Sequence, residues 1–543
     1  MSEKENAQNL VSRRSFLKKT AMVGVGLAAA GSLQACAPKA AGAAEIKWDK
    51  EVDVVVVGSG TVAFAALAAK DAGVESVLVI EKGLVFGGTS SLSGGGFWIP
   101  ANYVMAEQGL EDNREDAIKF LNIVTAGQSN DELITNYVDT ANKMAEWSRD
   151  KFNFQWSVSS GKQYADYYEV DGFRSFGRTI YLKRDDKNLG GGGTWSFIRE
   201  TLEGLGVEIM LETSGKKLYT NEAGEVIGIL AEGLDGELKI KAKKGVILGT
   251  GGFDFNKEMT TAFLRGPIIA SNAVSTNTGD GQRMGMELGA DLRNMNSCWG
   301  VPFYPVDPEK LQGEADWQIY RGKPGSIVVN KYGERIGNEA AAYHVFNRAF
   351  WVYDTGKFEW RNANSFWVCD SNFFERYFMP GSGYQMGVIP EWITQADTLE
   401  ELCEKLGIDV DGFNATIEEF NANAAEGKDP VWHRGEYQFD LNTAGDATRT
   451  DLKNPCLAPL EKGPFFGSVY GPGTCGTNGG LRINKNAQVL NISGQPIPRL
   501  YAVGNTSGSV FGDAYPGGGS CLGSGGVMGM LAGFHAAALE SLS

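Results

Sequence analysis

The sequence predicts an α/β fold that is organised around a dinucleotide-binding βαβ unit near residue 50 and is interrupted by an inserted domain. The apolar, β-branched run over 52–57 predicts a buried parallel strand. It is followed by the turn Gly58-Ser59-Gly60, an alanine-rich helical stretch over 61–72, and a second strand over 76–80 that ends at Glu81. A strand, a glycine turn, a helix and an acidic strand end in this order are typical of dinucleotide-binding units.

The residue types of the first turn suit a bound pyrophosphate. Gly58 permits a sharp turn, and Gly60, which has no side chain, lets the anion approach the backbone. The helix that follows offers free N–H groups and the positive end of its dipole. Ala63 stands where the fingerprint has its third glycine, and Glu81 can accept hydrogen bonds from ribose hydroxyls. Because this carboxylate would repel a 2′-phosphate, the turn predicts a dinucleotide without one.

The segment over 87–96 distinguishes a flavin from a nicotinamide cofactor. Its sequence, GGTSSLSGGG, supplies the small residues and hydroxyls that a flat flavin ring system needs around it. The segment resembles its counterpart in the FAD-dependent fumarate reductase and 3-ketosteroid dehydrogenase superfamily, and the resemblance extends from Val52 to about Ala537. It implies FAD as the cofactor and a two-dinucleotide-binding flavoprotein fold, in which a Rossmann-like FAD domain carries an inserted α+β substrate cap.

The candidate cofactor-binding residues lie in several glycine-rich loops. The small residues after an apolar strand that ends near residue 248, and the start of the closing helix, are expected to meet the cofactor as well. Together the predicted cofactor-binding residues are Gly58, Gly60, Glu81, Lys82, Gly88, Thr89, Ser90, Ser93, Gly95, Gly96, Thr250, Gly251, Gly504, Asn505, Ser520 and Leu522.

Composition divides the chain into four parts. The sequence predicts a signal segment over residues 1–44 and the first part of the FAD domain over residues 45–297. In the cap, residues 298–465, the proportion of aromatic residues and Pro increases and the βαβ alternation stops. Residues 466–543 are predicted to form the second part of the FAD domain. The predicted elements include helices over 113–150, 194–205, 398–406, 412–426 and 523–539, a β-meander over 206–247, and strands over 326–330, 476–483 and 496–504.

The first 36 residues predict export. Residues 12–18, SRRSFLK, match the twin-arginine pattern, an apolar region over 20–31 follows, and LQAC at 33–36 resembles a lipobox. The apolar run is too short for a comfortable transmembrane helix. We therefore expect a protein of the periplasm or of the outer face of the cytoplasmic membrane, which contacts the membrane only through a lipid on Cys36. A membrane-linked electron carrier would suit that location.

Charge and composition exclude several other functions. The 543-residue chain has a formal net charge of -16, which argues against nucleic acid as a partner. Its seven cysteines include no C-x-x-C pair and its three histidines no H-x-x-x-H spacing, so no metal site is expected.

The loop over 513–520, DAYPGGGS, distinguishes the two branches of the superfamily. Fumarate reductases carry an Arg in this loop, and a dicarboxylate without an Arg fork would be poorly bound. The Tyr-Pro-Gly-x-Gly form found here instead resembles the 3-ketosteroid dehydrogenases. This resemblance implies that the Tyr515 hydroxyl and the Gly519 backbone N–H bind the ketone oxygen of a hydrophobic, ketosteroid-like enone.

Two further segments resemble the same branch. The sequence NEAAAY over 338–343 has the spacing of a family segment whose Tyr is the base, which implies that role for Tyr343. The aromatic stretch over 164–181 resembles the region whose Tyr assists the base, and either Tyr167 or Tyr168 could fill that role.

The chemistry of a C–C bond next to a ketone agrees with these residues. It requires a hydride exchanged with flavin N5, a group that moves a proton, and donors that stabilise the enolate. Because an unperturbed Tyr has a pKa near ~10, a hydrogen bond from a second Tyr is expected to lower the pKa of Tyr343.

Two alternative functions stay open, and so does the direction of the reaction. Arg335 and Arg348 lie in the cap and could bind a small unsaturated carboxylate, as in an enoate reductase related to the fumarate reductases. A flavin-bearing electron-transfer subunit without a substrate site would be indicated by an extra redox motif or by loss of the Tyr/Gly loop, and the sequence has neither feature.

Overall fold

The structure of the chain, a computed structural model, describes residues 46–158, 164–185 and 187–542. The predicted signal segment, including the twin-arginine pattern and Cys36, lies outside the described residues. From Trp48 onward the chain forms one compact unit. In the described ranges no helix combines the length and the apolar character needed to cross a membrane.

The unit alternates strands and helices along most of its length. The strands are β1 Lys50–Val57, β2 Val77–Ile80, β3 Gly96–Trp98, β4 Trp156–Val158, β5 Thr179–Arg184, β6 Lys187–Asn188, β7 Glu208–Met210, β8 Ser214–Thr220, β9 Val226–Gly233, β10 Gly236–Leu248, β11 Ala270–Ser271, β12 Leu292–Arg293, β13 Cys298–Asp307, β14 Gln312–Ala315, β15 Ser326–Asn330, β16 Tyr353–Asp354, β17 Glu359–Trp360, β18 Ser365–Cys369, β19 Thr394–Ala396, β20 Phe465–Thr477, β21 Gly480–Leu481, β22 Gln488–Leu490 and β23 Pro496–Ala502. The α-helices are α1 Ala63–Asp71, α2 Gly88–Ser91, α3 Tyr103–Glu107, α4 Arg114–Thr125, α5 Asp131–Phe152, α6 Gly190–Gly204, α7 Lys257–Phe263, α8 Asp280–Glu287, α9 Tyr343–Asn347, α10 Ser371–Arg376, α11 Leu399–Leu406, α12 Val410–Ala425 and α13 Ser520–Ala537. Short 3-10 turns span Pro308–Lys310, Arg348–Phe350 and Gly504–Thr506, and a π-helical turn spans Asp440–Ala444.

Strand β1 lies inside an eight-stranded sheet whose main order is β22-β23-β10-β1-β2-β7. It runs parallel to β2 and to the second half of β10, while the first half of β10 forms an antiparallel hairpin with β9. Residues 54–56 of β1 are 0% exposed, as expected for an apolar parallel strand that is covered on both faces. The carboxyl ends of β1, β2 and β10 therefore meet at one edge of the sheet, where this type of fold binds its ligands.

Helices α1 and α13 pack against each other with closely approaching backbones. A Cβ added at Gly533 would lie 2.3 Å from the Ala65 carbonyl oxygen, and one added at Gly525 would lie 2.3 Å from Thr61 Oγ1. Only glycine fits at these two positions, which explains why α13 is so rich in glycine although glycine disfavours helices.

A seven-stranded sheet of order β14-β13-β20-β18-β15 forms the cap, and β11 and β19 pair with β20. This corrects the predicted boundary at residue 465, because β20 is the central strand of the cap sheet, where it pairs with β13 and β18. The FAD domain therefore resumes after about residue 477 rather than at 466, and the strand predicted over 476–483 is divided between two sheets. Residues 466–477 are glycine-rich, as the FAD domain is, so composition did not indicate this boundary.

Helix α6 begins earlier than predicted, since the four glycines over 190–193 are its first turn rather than a loop. A Cβ at Gly191 would lie 2.5 Å from the Ser93 carbonyl oxygen, so close packing on the 87–96 segment requires glycine there despite its low helix propensity. The strand predicted over 326–330 coincides with β15, and the helices predicted over 398–406 and 412–426 correspond to α11 and α12.

Candidate active site

One cavity of about 600 Å³ extends from the carboxyl edge of the eight-stranded sheet to the cap. We call the part lined by Gly58, Glu81, Lys82, Thr250 and Asp280 the nucleotide end. The part lined by Tyr164, Trp299, Trp317, Tyr343 and Tyr515 is the aromatic end. Every predicted cofactor-binding residue lines this cavity except Ser520, whose hydroxyl instead donates to the Gly517 carbonyl at 2.7 Å inside the loop that precedes α13.

The first glycine turn brings two strand ends into direct contact. Gly58 has a φ of +102°, and a Cβ there would lie 2.1 Å from the Gly249 carbonyl oxygen. The Ser59 hydroxyl donates to Glu81 Oε2 at 2.6 Å and accepts from the Gly87 N–H at 2.7 Å. Ser59 thereby ties the turn both to the end of β2 and to the start of the 87–96 segment.

The charged residues of the cavity lie at its nucleotide end and are held by local contacts. Glu81 Oε1 accepts from the Gly83 N–H at 2.6 Å. Lys82 Nζ donates to Asp280 Oδ2 at 2.9 Å and to Thr278 Oγ1 at 2.7 Å. These contacts fix an acidic and a basic side chain beside the place where a ribose is expected.

The 87–96 segment forms a wall of backbone and small side chains. Thr89 Oγ1 accepts from the Val274 N–H at 3.1 Å, and Ser93 Oγ donates to the Ser90 carbonyl at 2.7 Å. A Cβ at Gly95 would lie 2.5 Å from the carbonyl carbon of Gly190, so the segment packs directly on the start of α6.

These features fit a flavin adenine dinucleotide. The N-termini of α1 and α13, through Gly60, Thr61 and Leu522, both line the cavity and can offer N–H groups to the cofactor. Glu81 can accept from ribose hydroxyls, and the flat wall over 87–96 can receive a ring system. The volume lies within the range expected for a cofactor cavity.

The loop over 515–519 is locked onto β3 and β5. Gly519 has a φ of +85°, and a Cβ there would lie 2.1 Å from the Gly96 carbonyl oxygen. The Trp98 N–H donates to the Gly519 carbonyl at 3.1 Å, and Thr179 Oγ1 donates to the Gly518 carbonyl at 2.8 Å. The Gly519 N–H itself donates to no residue in the described part of the chain.

Three of the predicted catalytic tyrosines form one cluster. The ring centroids of Tyr343 and Tyr515 are 5.8 Å apart, and that of Tyr167 lies 5.4 Å from each. Tyr343 and Tyr515 line the aromatic end directly, whereas Tyr167 lies behind them. Segments that are more than three hundred residues apart in the chain thus meet at one point.

The structure separates Tyr167 from Tyr168. An isolated antiparallel bridge joins Asp166 to Gly517, and Asp166 also accepts from Trp98 Nε1 at 2.7 Å and from Arg178 Nη1 at 2.8 Å. Successive side chains on such an extended segment point to opposite sides. Tyr167 therefore joins the cluster, while the Tyr168 hydroxyl is buried without a hydrogen-bond partner in the described chain.

Burial raises the pKa of Tyr343, Tyr167 and Tyr515 well above the ordinary value. A hydrogen bond with Tyr167 acts in the opposite direction on Tyr343 but is a smaller effect than burial. The expected lowering of the Tyr343 pKa is therefore not found, because the expectation did not account for burial of the ring.

His344 and Arg348 hold the Tyr515 loop from the cap side through Asp513. His344 Nδ1 accepts from the Gly300 N–H at 3.1 Å, so the proton resides on Nε2, which donates to the Asp513 carbonyl at 2.9 Å. Burial, followed by the Arg348 charge, lowers the His344 pKa to about 3, so the ring is neutral. The Asp513 carboxylate accepts from Ser297 and pairs with Arg265 and Arg348, each at 3.2 Å.

The cap arginines do not line the cavity. Arg335 pairs with Glu339 at 2.5 Å and with Asp429 at 2.8 Å, and Arg348 is bound to Asp513. Among the described residues, no group of three or more metal-ligating side chains lies together.

Several residues of the aromatic end were not predicted: Tyr164, Trp299, Trp317, Cys475 and Cys521. The Tyr164 hydroxyl lies 3.1 Å from that of Tyr167, three residues later in the same aromatic stretch, so this stretch held the signal for it. Trp299 and Trp317 lie on the cap side and contact Tyr515 and Tyr343 at 4.9 Å between ring centroids. No sequence spacing connects these tryptophans to the tyrosines that they contact.

Comparisons with known proteins extend these observations. A model of the FAD binding domain family matches residues 53–522. The chain is 32% identical over 576 residues to the 3-oxosteroid 1-dehydrogenase of Mycolicibacterium smegmatis, covering 91% of this chain and 98% of that protein. It is 30% identical over 535 residues to the 4-oxocyclohexanecarboxylate 2-dehydrogenase of Sinomonas cyclohexanicum, covering 89% of this chain and 92% of that protein.

A solved structure has the same architecture. The crystal structure of 3-ketosteroid delta1-dehydrogenase from Sterolibacterium denitrificans, in complex with 1,4-androstadiene-3,17-dione, has a TM-score of 0.82 against this chain. The two chains are 30% identical, and the likeness covers 90% of this chain and 100% of that one.

Proposed function

The chain belongs to the FAD binding domain family, and on that premise we propose that it dehydrogenates or reduces a C–C bond conjugated to the ketone of a neutral, 3-ketosteroid-like substrate. The family match confirms the predicted FAD cofactor, and with the solved structure it confirms the predicted α/β flavoprotein fold. The chain is accordingly an FAD-dependent oxidoreductase that acts on CH–CH groups, as its relatives are.

The observation that carries the proposal is the pair of uncharged donors at the aromatic end. The Tyr515 hydroxyl and the Gly519 N–H lie on the wall of one cavity, and the Gly519 N–H has no acceptor among the described residues. Two neutral donors suit a ketone oxygen that gains negative charge as an enolate forms. Two relatives, the 3-oxosteroid 1-dehydrogenase and the 4-oxocyclohexanecarboxylate 2-dehydrogenase, are named for ring ketones and support a ketone as the activating group. The second of these ketones also carries a carboxylate.

The roles of the chain's own residues follow from their positions. When bound, FAD supplies the acceptor or donor of a hydride. Tyr515 and Gly519 would hold the ketone oxygen, which makes the neighbouring C–H more acidic or the conjugated double bond more electrophilic. Tyr343 would take a proton from that carbon in dehydrogenation or give one in reduction, with Tyr167 beside it. The surrounding rings exclude water from the developing enolate.

A small carboxylate is a weaker candidate as substrate. Within the described chain, the charged residues that line the cavity are Glu81, Lys82 and Asp280, and all three lie at the nucleotide end. Arg335 and Arg348, which kept this alternative open, are bound to carboxylates of the protein itself. A carboxylate at the aromatic end would therefore lose its hydration without gaining a charged partner.

The test is anaerobic and addresses substrate and direction together. The protein is reduced chemically and mixed with a panel of neutral cyclic enones and of enoates, and reoxidation is followed by absorbance. In parallel, the oxidised protein is mixed with the corresponding saturated ketones. We expect enones to reoxidise the flavin of the reduced protein, or saturated ketones to bleach the flavin absorbance of the oxidised protein. The enoates should leave the reduced flavin unchanged. Reoxidation by enoates alone would overturn the proposal.

We also propose that the protein is exported by the twin-arginine route and receives electrons from, or passes them to, a membrane-linked carrier. The motif over 12–18 and Cys36 support this proposal. Replacing Arg13 and Arg14 by Lys should retain the protein in the cytoplasm, and Cys36→Ala should release it from the membrane fraction. An unchanged distribution of both variants between the fractions would contradict export and anchoring.

A further inference from the structure

We propose that Cys521 is a positioning residue for the ketone-binding hydroxyl: its S–H donates to the Tyr515 oxygen while the Tyr515 O–H donates to the substrate ketone. This inference rests on the function proposed above. Cys521 is the second residue of α13, two residues after Gly519, and its thiol lines the same cavity. Its sulfur lies 3.4 Å from the Tyr515 hydroxyl oxygen.

The thiol is the one polar partner of this hydroxyl within the described chain. The phenol ring itself is packed by other rings: the Trp299 centroid lies 4.9 Å away, that of Tyr167 5.4 Å and that of His344 5.7 Å. These rings hold the position and tilt of the phenol but cannot orient its O–H bond. A hydroxyl hydrogen rotates to suit its partners, so the thiol decides where it points.

The order of donors follows from their strengths. Burial raises the pKa of Tyr515 and of Cys521, so both groups keep their protons at neutral pH. A phenol is a better donor than a thiol, and a ketone oxygen is a better acceptor than sulfur. When a ketone is bound, the phenol therefore donates to it and the thiol donates to the phenol oxygen. Chained hydrogen bonds strengthen each other, so the thiol increases the polarisation of the ketone without any proton leaving its atom.

Cys475 provides a matched control. It lines the same cavity, but its thiol donates to the Trp299 carbonyl at 3.3 Å rather than to a tyrosine hydroxyl. Loss of that thiol removes similar volume from the wall and leaves the Tyr515 hydroxyl with its partner. An effect that comes only from the smaller side chain in the cavity wall would appear in both cysteine variants.

The experiment uses infrared spectroscopy of the oxidised holoenzyme with 1,4-androstadiene-3,17-dione as the probe, a ring ketone whose conjugated ring is already dehydrogenated, so that it binds without turnover. The S–H stretching band that disappears in Cys521→Ala is assigned to Cys521, and ketone binding should shift this band to lower frequency. In Cys521→Ala the C=O stretch of the bound ketone should move to higher frequency and Kd should rise about three- to tenfold. Cys521→Ser should restore the C=O stretch, and Cys475→Ala should leave it unchanged.

The outcomes separate the two proposals. A bound probe whose C=O stretch is the same in wild type and Cys521→Ala, or a Cys521 S–H band that does not move, overturns the role of Cys521 alone. A probe that leaves the flavin absorption spectrum unchanged at saturating concentration overturns the proposed substrate class, and the role of Cys521 falls with it.

Discussion

The two ends of the cavity differ in what forms their walls: closely packed backbone at one end and aromatic side chains at the other. At the nucleotide end and along the neighbouring 87–96 segment, closely packed backbone shapes the wall: Gly58 lies against Gly249, and Gly191 lies against Ser93. The aromatic end is formed by side chains from several separate parts of the chain, among them Tyr167, Tyr343 and Tyr515. One end is thus defined by where a Cβ cannot fit, and the other by which ring or hydroxyl is present. Changes at the two ends should therefore fail in different ways.

The largest effect is expected from Gly58→Ala. The new methyl group would lie 2.1 Å from the Gly249 carbonyl oxygen at a φ of +102°, so β1 and β10 must separate where the pyrophosphate is expected. The purified variant should retain almost no flavin, as measured by the ratio of flavin to protein absorbance.

Gly73→Ala is the matched control for this prediction. Gly73 also has a positive φ, +86°, but a Cβ there meets nothing within 4 Å. It should lose only about 1–2 kcal/mol of stability from backbone strain and keep its flavin. Equal flavin content in the two variants would show that close backbone contact does not define the nucleotide end.

Changes at the aromatic end should remove turnover and leave the flavin in place. Tyr515→Phe deletes a donor to the developing enolate and should lower turnover about 10²–10³-fold, the usual effect of one such donor. Tyr343→Phe should cause a comparable loss, because it removes the proton-transfer group. Flavin content and melting temperature should stay at wild-type values, as should turnover in Tyr384→Phe on the exposed surface of the cap. Wild-type turnover in both cavity variants would place the chemistry elsewhere.

The same contrast explains what could be predicted from the sequence. The nucleotide end follows from a contiguous stretch, 52–96, because strand, glycine turn and acidic strand end are local features. At the aromatic end, Tyr343 and Tyr515 were found through motifs of neighbouring residues. Trp317 was not, since only the packing of the cap brings it to the cavity, and Cys521 was missed although it directly follows the loop over 513–520. The strand over 465–477 was assigned to the wrong domain because composition does not report which strand is its neighbour.

The tyrosine pKa shifts predict that the rate of dehydrogenation and the rate of reduction depend differently on pH. Because burial raises the pKa of Tyr343, its phenolate is scarce at neutral pH, and the fraction of phenolate grows about tenfold per pH unit. Dehydrogenation of a saturated ketone, which needs the proton acceptor, should accelerate by that factor without a plateau below about pH 10. Reduction of an enone, which needs the phenol, should be flat over the same range.

His344 should not contribute to that profile. Its pKa is lowered to about 3, so the ring stays neutral throughout the range between about pH 5 and pH 8, in which an ordinary histidine would titrate. The alkaline rise should disappear in Tyr343→Phe. A plateau near pH 7 in the wild-type dehydrogenation rate would mean that substrate binding lowers the pKa of Tyr343, or that another group is the base.

The smallest effects separate two neighbouring tyrosines at the edge of the aromatic end. Tyr167→Phe removes the hydroxyl that lies 3.1 Å from that of Tyr164 on a ring packed against Tyr343, and it should lower turnover about three- to tenfold. Tyr168→Phe deletes a buried hydroxyl that has no partner in the described chain, so turnover should change less than about twofold and stability should be equal or slightly higher. The steady-state rate and the melting temperature, measured for each single variant, show which of the two tyrosines contributes to turnover. A larger loss in Tyr168→Phe would mean that the bridge between Asp166 and Gly517 rearranges when the substrate binds, because only a turn of that extended segment can exchange the two side chains.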